Sequence, residues 1–195
     1  EYIDPKKIQK KFENKEDIKT LHNIFKILKK KKFINSKILY VSSGAVYKSR
    51  KTKKKFKETS KIFKLNKSPK SISEIYIRNK LLGEQLTRKL SVNFKRKTSI
   101  ARCFAFIGEH FPLKSQYVLG NFVDSILGKK PLKIYGKSSR RVFRSFLYSD
   151  ELINLILKIL FKSNKSSSIY NVGSDNEISI WDLASIVKKK YKLKL

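Results

Sequence analysis

The apolar positions of the chain fall into alternating helix-like and strand-like segments. Residues 15–32 carry Ile18, Leu21, Phe25 and Leu28 at three- and four-residue spacing, with Ile24 beside them, which predicts an amphipathic helix. Asn14 is placed to cap it, Glu16 and Asp17 fall in its first turn, and a lysine run at 29–32 closes it, each charge complementing the helix dipole. The run 37–43 is short, apolar without clean alternation, and ends in Ser42 and Ser43. That is the pattern of a buried parallel strand. Residues 48–72 are polar, rich in lysine and contain Pro69, and predict a long connection that is either a loop over a site or variable surface. A second helix follows at 73–92, with Leu81, Leu82, Leu86 and Leu90 as its apolar set, and a second buried strand at 98–106.

The second half is more broken. It predicts a loop at 108–117, a helix at 119–127 stopped by Gly128, and a short strand at 132–135 stopped by Gly136. A basic loop at 137–142 precedes weak alternation at 143–148 and an apolar helix running through Phe161, with Asp150 placed to cap its start. A loop at 163–168 leads to a strand at 169–172. Ser179-Ile-Trp-Asp182 then has the serine-x-x-acid form of a capping box and opens a final helix. Helix and strand in alternation predict an α/β sheet. Ligands of such sheets sit beyond the carboxyl ends of the strands, where Ser42 and Ser43 stand.

The 195 residues carry a formal net charge of +32. A basic protein of this size invites a nucleic-acid reading. Lysine supplies nearly all of the excess, however, and is spread over every segment, while arginine is sparse. Base- and phosphate-reading surfaces lean on the forked guanidinium of arginine. Lysine, Ile, Asn, Phe, Tyr and Ser together are the residue set of an A+T-rich coding sequence, so no specific nucleic-acid partner is expected. The single cysteine, Cys103, cannot form an internal disulfide and lies in an apolar run. It reads as a small buried hydrophobe in a reducing, cytoplasmic setting. No apolar run approaches the roughly 20 residues of a membrane span; His22 reads as a surface or boundary residue of the first helix, and His110, with no second histidine or carboxylate at metal-ligand spacing, as a loop residue. The chain holds no methionine and begins at Glu1 in mid-pattern, so a piece of a longer protein is expected.

One pair on the second helix carries chemistry. Tyr76 and Lys80 are four residues apart and share a helix face. A phenol is a poor base at neutral pH, and a neighbouring ammonium favours the phenolate. Such a pair can take a proton from an alcohol or a sugar hydroxyl. A half-buried tyrosine beside a solvated lysine has the same spacing, so the surrounding motifs decide between the two.

Those motifs, taken in order, resemble the extended short-chain dehydrogenase/reductase family, in particular its NAD-dependent sugar-nucleotide epimerases and dehydratases. Val41-Ser-Ser-Gly-Ala-Val-Tyr47 resembles the family's strand-end serine motif. Tyr76-x-x-x-Lys80-Leu-Leu-Gly-Glu84 resembles its catalytic helix, and Ile100-Ala-Arg-Cys-Phe-Ala-Phe-Ile-Gly108 the strand entering the substrate site. Lys133-Ile-Tyr-Gly136, Arg144 and Phe146-Leu-Tyr-Ser-Asp150 resemble the nucleotide-sugar segment. Tyr170-Asn-Val-Gly173 and Ile178-Ser-Ile-Trp-Asp-Leu183 resemble the C-terminal signature. The resemblance implies the C-terminal half of a Rossmann-like doubly wound parallel sheet with part of a small α+β substrate-binding domain. Residues 1–106 would be the partial NAD(P)-binding domain. Residues 107–195 would be mainly the nucleotide-sugar region, with some segments returning to the sheet.

The resemblance also implies roles. Ser43 would hydrogen-bond the reacting sugar oxygen, Tyr76 would be base and then acid, and Lys80 would hold the nicotinamide ribose and lower the tyrosine pKa. Ser42, Tyr76 and Lys80 would line the NAD or NADP site. Arg144 would grip the diphosphate of a nucleotide-sugar substrate, and Asn121 would help to bind it. A homodimer through the helix at 74–92 is a further implication, with no membrane partner. The chain departs from the family in having no G-x-x-G-x-x-G, the turn whose N–H groups cradle the cofactor diphosphate. Lys48 also stands where the family has Gly, and Ala105 where it often has Asn. Gly44 and Ala45 occupy the positions where the 4,6-dehydratases carry an Asp-Glu pair and decarboxylating relatives a Glu. Neither residue transfers protons, so a 4-epimerase-like reaction is expected ahead of dehydration or ketoreduction, with an inactive fragment as the non-catalytic alternative.

Overall fold

The computed structural model describes residues 15–48, 55–65, 69, 71–111, 118–132, 134, 142–164 and 167–193. In chain order the elements are α1 (Lys15–Leu28), β1 (Lys37–Ser43), α2 (Ile72–Phe94), β2 (Lys97–Cys103), β3 (Phe106–Ile107), α3 (Val118–Leu127), β4 (Phe143–Ser145), β5 (Leu147–Tyr148), α4 (Ser149–Phe161), β6 (Ser168–Val172), β7 (Glu177–Ser179) and α5 (Ile180–Tyr191). Single 3-10 turns cover Lys31–Phe33 and Gly44–Val46. The chain divides into a sheet unit, Pro5–Phe104 with Ile153–Val172, and a second unit made chiefly of Ala105–Leu152 and Gly173–Leu195.

The sheet unit is α/β, as its pattern predicts. β1, β2 and β6 form one parallel sheet in the order β1-β2-β6. The register brings Ser43, Cys103 and Val172 abreast at its carboxyl edge. β2 is central and buried from Thr98 to Cys103, which is why its apolar pattern shows no alternation. α2 lies on β1 and β2, and α1 packs on α2, with Phe25 of α1 buried and His22 exposed.

Side chains set the helix ends. Ser71 accepts the Glu74 backbone N–H at 3.2 Å and starts α2. Lys95 ends it in the left-handed region at φ 53°. The next residue, Arg96, is buried and donates to the carbonyls of Leu28, Lys29 and Lys30 at 2.9, 2.6 and 2.9 Å. These contacts satisfy carbonyls that a helix end leaves without partners. α1 therefore stops at Leu28 and not at Lys32. Its expected cap, Asn14, lies outside the described residues.

The second unit has its own core of Phe122, Leu132, Ile180 and Ala184, contributed mainly by α3 and α5. β3 pairs with β5 in parallel, and β4 pairs with β7 antiparallel. The strand expected at 132–135 is not formed at the described residues Leu132 and Ile134. Leu132 is apolar because it is a core side chain, a demand that any backbone conformation can meet. The capping box holds: Ser179 accepts the Asp182 backbone N–H at 3.0 Å and donates to its carboxylate. Asp150 is not the cap of α4: that helix begins at Ser149 and holds Asp150 in its first turn. Among the described residues no helix is long and apolar enough to cross a membrane.

Candidate active site

β1 alternates, so Tyr40 and Ser42 face the helix laid across it. Tyr40 meets Gly83 of α2, and Ser42 donates to Glu84 at 2.7 Å. One turn earlier on α2, Lys80 reaches the strand backbone. Its Nζ donates to the Val41 carbonyl at 3.0 Å. It also lies 5.6 Å from the centre of the Tyr76 ring and 5.8 Å from that of Tyr40, within cation–π range of both. The tyrosine and lysine thus meet across one helical turn at the carboxyl end of β1. Burial lowers the Lys80 pKa from its ordinary value.

Ser43 is the next-but-one residue after Val41 and caps the 3-10 turn at 44–46, accepting the Ala45 N–H at 3.2 Å. Its own O–H is not used in that bond, so the hydroxyl keeps a donor for an oxygen atom placed beyond the strand. Ser42 differs. It is 2 % exposed and its hydroxyl is committed to Glu84, so the expected cofactor contact is open only to its backbone. Strand alternation sends the two serines to opposite faces and gives them different work. Arg144 lies on β4 in the second unit, exposed, and donates to the neighbouring Phe143 carbonyl at 2.9 Å. Asn121 is half-buried on α3. Of the nucleotide-sugar motif Lys133-Ile-Tyr-Gly136, only Ile134 is among the described residues.

A buried polar network holds the site, and composition alone did not single it out. Arg102 of β2, 1 % exposed, makes a two-pronged pair with Glu84: Nε to Oε1 at 2.9 Å and Nη2 to Oε2 at 2.7 Å. Its Nη1 donates to the Tyr47 hydroxyl at 3.0 Å and the Glu58 carbonyl at 3.2 Å. Tyr47 in turn donates to Asn171 Oδ1 at 2.7 Å. Asn171 donates its side-chain N–H to the Phe56 carbonyl and its backbone N–H to the Glu58 carboxylate, both at 2.9 Å. Phe56 stacks on Tyr47 at 4.9 Å between ring centres. Burial alone would lower the Arg102 pKa. Its hydrogen bonds to Glu84 and Tyr47 outweigh burial and hold it above its ordinary value. The signal in the sequence was an arginine inside a strand buried on both faces, which requires a partner.

The reading of residues 48–72 as a long connection holds over 55–65, where no helix and no strand forms beyond a single bridge at Ile62. The described part, 55–65, is fastened to the sheet through Phe56 and Glu58, and its backbone pairs with 46–48 through Phe63 N–H to Val46 O and Lys48 N–H to Lys61 O.

Cys103 ends β2 beside Ser43, 8 % exposed. Burial pushes its thiol pKa up to about 11, and the Lys80 charge pulls the other way. The thiol is therefore protonated at neutral pH, and alkylation of the native protein is expected to be slow there and to accelerate with pH. Lys80→Met removes the opposing charge and moves the pH dependence further up. Iodoacetamide kinetics on the native chain read this directly, since no other cysteine competes.

The residues from the start of α1 to the end of β6 coincide with a known family model. It is that of the NAD dependent epimerase/dehydratase family, and it matches residues 9–173. The chain belongs to this family. Among its relatives, the human dTDP-D-glucose 4,6-dehydratase is 28 % identical over 149 residues, covering 76 % of this chain and 38 % of the relative. UDP-glucuronic acid decarboxylase 4 of Arabidopsis thaliana is 26 % identical over 124 residues, 64 % of this chain and 27 % of the relative. Solved epimerase/dehydratase structures share the fold. The UDP-glucuronic acid 4-epimerase of Bacillus cereus, in complex with NAD, superposes with TM-score 0.72 at 23 % identity, over 91 % of this chain and 54 % of that one. The dTDP-glucose 4,6-dehydratase of Streptomyces venezuelae, with NAD bound, gives 0.73 at 17 % identity, over 91 % and 50 %. The chain thus spans between about a quarter and just over half of these relatives' length.

Proposed function

We propose that this chain carries the catalytic side of a NAD(P)-dependent nucleotide-sugar oxidoreductase whose reaction is a 4-epimerisation. The observation that supports it most is the placement of Lys80. The ammonium is bonded to Val41 O and set against Tyr76, at the strand end where Ser43 presents its hydroxyl. The donor set fits the sugar side of a nicotinamide nucleotide: an ammonium retains donors for ribose hydroxyls beyond the one given to Val41. The seven glycines of the chain are too widely spaced to form a diphosphate-binding turn, so that contact falls to residues outside these 195. When bound, the nicotinamide supplies a reversible acceptor for hydride from sugar C4.

The chain's own residues do the rest. Ser43 donates to the 4-oxygen and orients it. Tyr76 removes the proton from the 4-hydroxyl as C4 is oxidised to the ketone, with Lys80 stabilising the phenolate. After the 4-keto sugar turns over, C4 regains on its other face the hydride it gave up, and Tyr76 returns the proton to the 4-oxygen. Arg144 and Asn121 supply charge and amide donors to the nucleotide diphosphate. The lone cysteine supports a reducing cytosol.

Epimerisation is preferred to dehydration on one local observation. Elimination needs a proton donor and acceptor next to the serine, and Gly44 and Ala45 are neither. A Cβ at 44 would stand 2.7 Å from the Phe104 ring, so the packing there leaves no room for an acid without moving that ring. The test is product analysis of the protein carrying this chain, incubated with UDP- and dTDP-hexoses and NAD. The expected product is the C4 epimer with no net NADH. A 4-keto-6-deoxy sugar would overturn epimerisation in favour of dehydration.

A further inference from the structure

Lys80 has two phenols at nearly equal distance, and only one of them is needed to move a proton. Tyr40 of β1 is the other. Its ring fills the space in front of Gly83: a Cβ at 83 would stand 2.0 Å from its Cζ and 2.2 Å from its hydroxyl oxygen. Gly83 sits inside α2, where glycine costs about 1 kcal/mol relative to alanine. The residue is there for room, since its backbone is helical. The Tyr40 hydroxyl is turned to the Asn79 carbonyl at 3.4 Å, and the flat of its ring is left beneath the ammonium.

We propose that Tyr40, seated on Gly83, is a positioning residue that holds the Lys80 ammonium against Tyr76. The inference rests on the reading of Tyr76 as the base. Three contacts hold the ammonium: the hydrogen bond to the Val41 carbonyl and the rings of Tyr40 and Tyr76. Removing the Tyr40 ring would open one side to water, which screens the charge that Tyr76 feels. The two phenols must also differ, because an ionised Tyr40 would compete with Tyr76 for the same cation. Burial, then the negative charge of Glu84, then that of an ionised Tyr76 push the Tyr40 pKa up to about 12. Tyr40 thus stays neutral where Tyr76 works. Among the described residues, those in electrostatic contact with Tyr40, Lys80 or Cys103 include Tyr76 and Glu84 from α2, with Lys80 and Cys103 facing each other. Environments that separate two like groups assign them different roles.

The experiment is a pH titration of the 195-residue chain with tyrosine labelled at 13Cζ, the Tyr76 resonance being assigned by its loss in Tyr76→Phe. Tyr40→Phe keeps the ring and is expected to leave the Tyr76 midpoint in place. Tyr40→Leu removes the ring, and Gly83→Ala keeps every side chain but displaces it; both are expected to move that midpoint to higher pH. A midpoint unchanged in both ring-displacing variants, with melting curves showing them folded, would overturn the proposal. So would an equal shift in Tyr40→Phe, which would assign the effect to the hydroxyl. Should leucine at 40 prevent folding, Gly83→Ala alone decides. The titration needs no turnover, so it stands apart from whether the sugar reaction is as proposed.

Discussion

Replacing Tyr76 by phenylalanine is expected to lower turnover of the proposed sugar conversion by about 10²–10⁴-fold, the range that a positioned acid–base group contributes. The substitution is narrow. The ring that Lys80 lies against remains, so the cation keeps that contact and the helix keeps its packing. Tyr76 is half-buried and not a core residue, so loss of one hydroxyl there leaves the melting temperature nearly unchanged. What disappears is the atom proposed to take and return the proton. Lys80→Met should act less specifically, since it removes both the proposed ribose donor and the charge beside the phenol and so moves KM as well as kcat. A Tyr76→Phe protein that turns over at the unaltered rate would remove the tyrosine from the mechanism and leave the family assignment, which rests on the chain match, untouched.

The site was partly legible before the structure, and the boundary is physical. Tyr76 and Lys80 could be paired because helix geometry converts a four-residue spacing into proximity. Ser43 could be placed because a buried parallel strand announces its own end. Lys80 meeting the Val41 carbonyl depends on β1 and α2 being stacked, a relation between segments 39 residues apart that no local period encodes. The same holds for Tyr40, whose role shows only once Gly83 is seen beneath its ring. Glu58 and Phe56 were hidden for a different reason. They lie in a lysine-rich stretch whose composition reads as solvated, yet their side chain and carbonyl are used by Asn171 across a separation of more than 110 residues. Leu132 misled in the opposite direction, because a core side chain outside regular structure gives the same apolar signal as a short strand.

The largest effect on stability is expected at Arg102. Arg102→Ala leaves the Glu84 carboxylate inside the protein, with Ser42 still donating to it and the half-exposed Arg88 at 3.6 Å as its remaining cation. Removing one partner of a buried pair costs about 3–5 kcal/mol. For a chain of this length that corresponds to a fall in melting temperature of roughly 6–20 °C. Tyr47 also loses a donor to its hydroxyl, and the Glu58 carbonyl loses its contact, so the segment at 55–65 should loosen along with the pair. Glu84→Gln is milder: the amide still accepts from Ser42 and one guanidinium nitrogen, but it presents an N–H where Arg102 needs an acceptor. Replacing both, Arg102→Met with Glu84→Leu, removes both buried charges and should recover much of the loss, as buried pairs exchanged for apolar residues of similar volume often do. The coupling in this double-mutant cycle separates the pair from its surroundings. The same cycle read by turnover tests position. A double variant that regains its melting temperature without regaining kcat would show that the pair sets the angle between α2 and the end of β1, and so the reach of Tyr76 and Lys80 to Ser43, beyond holding the two together.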